Sequence, residues 1–153
     1  MRKLKTYAIS IVIALAVGGI STLLTSGNMM LYQEINQPPL APPGFLFPIV
    51  WTILFILMGI SSAMVYITAP DKSQKALTVY ALQLVVNFAW SLIFFNLRVF
   101  FFAFIWILLL LALIVWMIYE FWKINKVAAY LQIPYLLWVT FATYLNFIIF
   151  ILN

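Results

Sequence analysis

The chain reads as an all-α integral membrane protein, a compact bundle of five transmembrane helices. Three observations predict this. Of its 153 residues 67% are hydrophobic and only 7% are charged, whereas soluble domains carry roughly a quarter charged residues. The eleven charges leave five long charge-free stretches: 6–33, 35–70, 76–97, 99–119 and 127–153. Each holds the ~20 residues a helix needs to cross a hydrocarbon core of about 30 Å. Runs such as Val99–Leu113 do not alternate as barrel strands must, and lipid satisfies no open backbone, so the spans are helical.

Helices are expected at about 5–26, 44–67, 74–96, 99–122 and 128–151 of one transmembrane domain, residues 1–153. Pro70-Asp71, Asn96-Leu97-Arg98 and Asn125 mark the breaks. The first segment combines a basic start with an apolar run and Ala14-Leu15-Ala16, which resembles a cleavable signal. The run continues to Leu24, long for a signal core, so it is read as a retained span. The loops after the second, third and fourth helices are short, which makes antiparallel neighbours.

Orientation follows from the basic residues. With the N-terminus in the cytoplasm, Arg2, Lys3, Lys5, Lys72, Lys75, Lys123 and Lys126 are inside and Arg98 alone is outside. That asymmetry is the positive-inside pattern. It places a multi-pass protein in the cell membrane with the C-terminus and loop 27–43 outside. The net charge of +5 is thereby explained by topology and gives no support for nucleic-acid binding.

The chain has no cysteine and no histidine, which excludes disulfides, thiolate metal sites and the usual general base and haem ligand. Three acids near membrane ends make neither a carboxylate pair nor a proton relay. No Gly-rich phosphate loop, nucleophile–base pair or internal repeat is present.

The informative residues are polar or bulky aromatic groups deep in the spans. Gln83, Asn87, Trp90, Ser91 and Phe94 share one face of the third helix. Tyr135, Trp138, Ala142 and Asn146 share one face of the fifth, and Trp51, Phe55, Met58 or Gly59, and Ser62 one face of the second. Asn87 near mid-span needs a partner, whether another helix or a ligand. With the stated orientation these faces meet in the middle and outer membrane. The first loop leaves on the same side, stiffened by Gln37-Pro38-Pro39 and Ala41-Pro42-Pro43. A pocket lined by aromatics with a few amides, under a lid at 27–43, is the economical reading, and its ligand is large, flat and apolar. Ala14 with Gly18, and Gly59 with Ala63, are small-residue pairs that allow close packing within or between subunits.

Three motifs carry a family resemblance. They are Pro38–Trp51 running into Thr52-Ile53-Leu54-Phe55 and Met58-Gly59; Gln83-Leu84 with Asn87, Trp90 and Ser91; and Pro134–Val139 followed by Phe141–Asn146. Over essentially its whole length the chain resembles the translocator protein family, also called tryptophan-rich sensory proteins or peripheral benzodiazepine receptors, in its bacterial form. The resemblance implies a five-helix bundle, usually a homodimer, that binds tetrapyrroles such as protoporphyrin IX. It implies binding of isoquinoline-carboxamide and benzodiazepine-type ligands in the same pocket, and light-dependent oxidative degradation of porphyrins with no required cofactor or metal. Carried over by motif, Trp51, Asn87, Trp138, Ala142 and Asn146 line the pocket, with Phe55, Trp90, Ser91 and Tyr135 on the same faces, and Tyr32 and Pro42 cover it. Trp51 and Trp138 are the candidate photochemical residues. Tetrapyrrole transport and non-catalytic sensing are the alternatives. Leu40 and Gln37 stand where the family often has an aromatic and a basic residue, and Phe55 where tyrosine is frequent. No Lys or Arg follows Tyr144, so the C-terminal sterol motif of animal members is absent.

Overall fold

A computed structural model describes residues 2–28, 31–37 and 40–153, without the side chains of Tyr32 and Gln33. Among the described residues, five helices are long and apolar enough to cross a membrane, at Arg2–Asn28, Leu46–Thr68, Gln74–Leu97, Phe100–Ile124 and Lys126–Leu152. The elements are α1 (Arg2–Thr25), α2 (Leu31–Glu34), α3 (Leu46–Thr68), α4 (Gln74–Ser91), α5 (Phe100–Ile124), α6 (Lys126–Leu131) and α7 (Ile133–Leu152). A 3₁₀ turn, Ser26–Asn28, closes α1, and a π-helical stretch, Leu92–Leu97, extends α4.

The sequence explains where these helices stop. Arg98 adopts a left-handed conformation (φ 54°, ψ 29°), which reverses the chain between the π stretch and α5. Asn125 separates α5 from α6 and caps α6, its Oδ1 accepting from the Ala128 N–H at 3.2 Å. The fifth span is two helices where one was expected. Pro134 has no N–H to donate to the carbonyl four residues back and suits the first turn of a new helix, so the helix breaks at Gln132 and α7 begins at Ile133. The first loop is also less extended than its prolines suggest, since α2 interrupts it.

The spans form a ring in which α1 packs on α3 and α4, and α5 on α4, α6 and α7. The ring closes because α3 packs on α6, but it packs scarcely at all on α7. Two bonds hold that closure. Ser61 Oγ donates to the Ala128 carbonyl at 2.7 Å, and Asn125 Nδ2 donates to Thr68 Oγ1 at 3.0 Å. Between α1 and α3 the backbones nearly touch. A methyl group placed on Gly59 would lie 2.5 Å from Cα of Ile11, and one on Gly18 would lie 2.6 Å from the Phe55 ring. Both small-residue pairs therefore serve packing inside the chain.

The core runs along the bundle axis through Met58, Val65, Ile114, Met117, Phe121 and Val139. Lipid-facing positions stay apolar and exposed, including Phe101, Leu108, Val115 and Trp122 on α5. Near the basic end of the bundle the buried Glu120 accepts from Lys123 at 2.9 Å and pairs with Lys75 at 3.8 Å. A buried carboxylate is tolerated when paired in this way. The same pair joins α4 to α5.

Candidate functional site

Where α3 faces α7, the two helices meet through aromatic rings and their backbones stay apart. The gap is a cavity of about 390 Å³ bounded by α1, α3, α4 with its π stretch, and α7. That volume lies within the range of small-molecule sites, ~300–1,000 Å³.

Aromatic rings make much of its wall. The α3 residues Phe47, Trp51 and Phe55 face Trp138 on α7, with Trp90, Phe94 and Phe95 on the α4 side. Phe47 meets the Trp138 ring edge-on at 5.8 Å, and Trp51 lies 5.7 Å from Phe55 and 6.1 Å from Tyr135. Trp90 stacks on Phe94 at 5.2 Å with an interplanar angle of 22°. These contacts fix ring orientation by offset and edge geometry. Flat apolar faces are thus presented from three helices.

Polar groups are few and placed by side-chain pairs across helices. Trp90 Nε1 donates to Asn146 Oδ1 at 3.1 Å, and Asn146 Nδ2 donates to the Ala142 carbonyl one turn back at 2.8 Å. Asn87 Nδ2 donates to Tyr135 Oη at 2.7 Å, and the Tyr135 hydroxyl donates to Gln83 Oε1 at 2.6 Å. Each amide is thereby held in one orientation, and Asn87 and Asn146 remain on the cavity wall. In contrast, Trp138 Nε1 is buried and has no hydrogen-bond partner among the described residues.

Of the residues singled out from sequence, Trp51, Phe55, Asn87, Trp90, Ser91, Trp138, Ala142 and Asn146 line this one cavity. Tyr135 does not; it is 1% exposed and acts through Asn87. Pro42 is half-buried and outside the lining set. The Tyr32 side chain, and Pro38 and Pro39 of the lid, lie outside the described residues.

The contribution of α1 was missed. Gly18, Ser21, Thr22 and Thr25 form one wall. Their spacing of three, four and seven residues, in a helix otherwise lined by large apolar side chains, is the signal for a face of small residues. Thr22 and Thr25 donate to carbonyls four residues back, at 3.0 and 2.9 Å, so they provide room more than recognition.

At the loop end α2 packs onto the bundle. Leu31 is buried with Ile93, Phe94, Ala103 and Ile149, and Ile35 packs against them. Asn36 and Asn153 then bond reciprocally: the Asn36 N–H donates to Asn153 Oδ1 at 3.2 Å, and Asn153 Nδ2 donates to the Asn36 carbonyl at 3.1 Å. The turn between α4 and α5 is tied to α1 in the same manner, Asn28 Nδ2 donating to Asn96 Oδ1 at 2.8 Å and Asn96 Nδ2 to the Leu24 carbonyl at 3.1 Å.

No group of three or more potential metal-binding acids, cysteines or histidines occurs among the described residues. What the lining offers is ring faces, shape and a few amides.

The family described as TspO/MBR matches residues 9–152 of the chain. Among similar proteins, the tryptophan-rich protein TspO of Chlorobaculum tepidum is 39% identical over 99% of this chain and 98% of its own. Protein CrtK of Rhodobacter capsulatus is 31% identical over 98% of this chain and 94% of its own, and the translocator protein of Ovis aries 32% over 76% and 70%.

Proposed function

The chain belongs to the TspO/MBR family, and from that membership we propose that it is a membrane receptor for tetrapyrroles that promotes light-dependent oxidation of its ligand. One observation carries the reading. A cavity of about 390 Å³ is walled by indole and phenyl faces from three helices, with amides held in fixed orientation between them. A metal-free macrocycle such as protoporphyrin IX needs that kind of wall and no axial ligand. Isoquinoline-carboxamides and benzodiazepine-type ligands present similar flat faces to the same rings. In this reading the basic end faces the cytoplasm, the lid over the cavity faces outward, and the protein works as a homodimer.

The proposed chemistry uses light and dioxygen. Trp51 or Trp138 donates one electron to the excited macrocycle, and the reduced macrocycle passes it to dioxygen, giving superoxide. The indole radical cation then takes an electron from the ground-state macrocycle and returns to tryptophan. The macrocycle radical cation and superoxide combine, so one dioxygen is added to the ring and the protein is unchanged. Amides at Asn87 and Asn146 orient the ring.

The test is a protoporphyrin IX titration followed by illumination in air, on wild type and the Trp51→Phe/Trp138→Phe double variant. Phenylalanine keeps most of the stacking, so dark affinity should fall only a few-fold. Light-dependent ligand loss should fall about tenfold or more, equivalent to ~1.4 kcal/mol of barrier. An unchanged rate of loss would sink the photochemical role of the tryptophans and leave a sensor or carrier.

A further inference from the structure

A second cavity, of about 380 Å³, lies at the basic end between α1, α3 and α4, and the tetrapyrrole reading does not use it. We propose that this groove binds one anionic glycerophospholipid, its phosphate on the terminal cations and its ester carbonyls on hydroxyls within.

The groove opens on the flank of the bundle. Ile9, Ile13 and Tyr66 on its wall are each about half exposed, at 49%, 52% and 47%, so lipid has direct access from the side. Inside are hydroxyls from all three helices: Ser10 on α1, Ser62 and Tyr66 on α3, and Tyr80 on α4. Tyr80 is only 8% exposed, yet its hydroxyl makes no properly formed hydrogen bond, with Ser62 as its polar neighbour. The Ser62 hydroxyl already donates to the Gly59 carbonyl at 3.1 Å. A buried donor left unmade costs about 1–3 kcal/mol, so an occupant with acceptor atoms is favoured.

Charge at the mouth selects the head group. Arg2 and Lys5 stand one turn before Thr6 and Ile9, on the same face of α1 that lines the groove. Lys72 lies in the turn between α3 and α4, the other two wall helices. These three and Lys3 are exposed and form no ion pair among the described residues, whereas Lys75 and Lys123 are engaged by Glu120. Asp71 beside Lys72 is the one acid in that turn. The excess of cations attracts anionic lipid.

The layering also matches. Ser10 lies about 7.5 Å along the helix from Lys5, and Ser62 and Tyr80 each about 9 Å inside their helix ends, at ~1.5 Å per residue. A lipid head-group layer is about 5–7 Å deep before hydrocarbon begins. Phosphate at the cations therefore brings the ester carbonyls to the hydroxyls, and an acyl chain to Ile13 and Leu77.

The experiment is native mass spectrometry of the full-length protein after delipidation. It is titrated with phosphatidylglycerol or with phosphatidylcholine of the same acyl chains. Wild type should retain one phosphatidylglycerol per chain with at least about tenfold preference over phosphatidylcholine, and the preference should fall with added salt. Arg2→Gln/Lys5→Gln/Lys72→Gln changes only exposed side chains; it should keep the unfolding temperature and lose the preference. Ser10→Ala/Tyr80→Phe should weaken both lipids and leave the preference intact. Equal retention of the two lipids by wild type, or an undiminished preference in the charge variant, would overturn the assignment. A protoporphyrin IX titration that saturates at two per chain, with the second site lost in Ser10→Leu, would overturn it in favour of tetrapyrrole carboxylates.

Discussion

The two ends of the same helices solve the packing problem in opposite ways. At the basic end, polar side chains reach backbone carbonyls and ions on neighbouring helices: Ser61 to Ala128, Asn125 to Thr68, and Lys75 and Lys123 to Glu120. Near mid-span, α1 and α3 approach until Gly59 has no room for a methyl group. Toward the loop end, α3 and α7 meet through rings without close backbone contact, and the polar groups pair with one another around a void: Asn87 with Tyr135, and Trp90 with Asn146. A void forfeits contacts on every side. The ring can carry one because helix positions are fixed elsewhere, by the α3–α6 closure and the α1–α3 contact. Stability and binding are thus separated along the bundle axis.

The sharpest way to break this division is at Gly59. An alanine there would place Cβ 2.5 Å from Cα of Ile11 and 2.8 Å from its backbone nitrogen, and backbone atoms cannot swing aside. The helices must separate, so Gly59→Ala should lower stability by ~2–3 kcal/mol, the range for overpacked sites. Gly19 meets nothing within 4 Å. Gly19→Ala is therefore the matched control and should be neutral or slightly stabilising. Unfolding in mild detergent, followed by tryptophan fluorescence, compares the two. Equal stability of both variants would remove the α1–α3 contact from the account.

Next in size is Tyr135→Phe, at the boundary between the ends. The hydroxyl accepts from Asn87 and donates to Gln83, all three side chains being buried. Its loss leaves two amides short of a partner, at ~1–3 kcal/mol. The same substitution releases Asn87 on the cavity wall, so porphyrin affinity should fall as well. A stability loss without an affinity loss would show that Asn87 does not need its fixed orientation to bind.

The five spans were legible because charge is so sparse that eleven residues leave five long charge-free stretches. The walls on α3, α4 and α7 were legible for a related reason: an amide or indole at helical spacing inside an apolar span is conspicuous. The α1 wall was not, because Ser21, Thr22 and Thr25 are ordinary in membrane helices, and two of them bond their own backbone. Periodicity also could not show the π stretch at Leu92–Leu97, whose wider turn keeps an apolar pattern. Tyr135 shares the Trp138–Asn146 face, yet only the fold shows that its ring stops short of the cavity and its hydroxyl supports Asn87.

Gly18→Ala tests the same helix pair at the loop end and should have a smaller effect. The new methyl would meet the Phe55 ring at 2.6–2.7 Å, and a ring can turn where a backbone cannot. Stability should fall by ~1 kcal/mol or less, because the adjacent void takes up the displaced ring. The displaced ring then occupies ligand space, so porphyrin affinity should fall several-fold. Together, Gly59→Ala and Gly18→Ala should dissociate stability from binding along one helix–helix contact. An affinity loss in Gly59→Ala with full stability would invert the proposed division.

The smallest effect is expected at the lid. Asn153 holds Asn36 through two reciprocal bonds, and Asn36 Nδ2 also donates to the Leu152 carbonyl at 3.3 Å. These groups are exposed, so water competes for them and each bond adds only ~0.5–1 kcal/mol. Asn153→Ala removes the reciprocal pair but leaves Leu31 seated among Ile93, Phe94 and Ile149. The lid should therefore open more often without detaching, and the unfolding temperature should fall by about 2–4 °C for each kcal/mol lost. Opening acts on escape: stopped-flow displacement of bound porphyrin should show a dissociation rate raised about two- to five-fold, with the association rate altered less. If dissociation is unchanged, exit does not pass the lid.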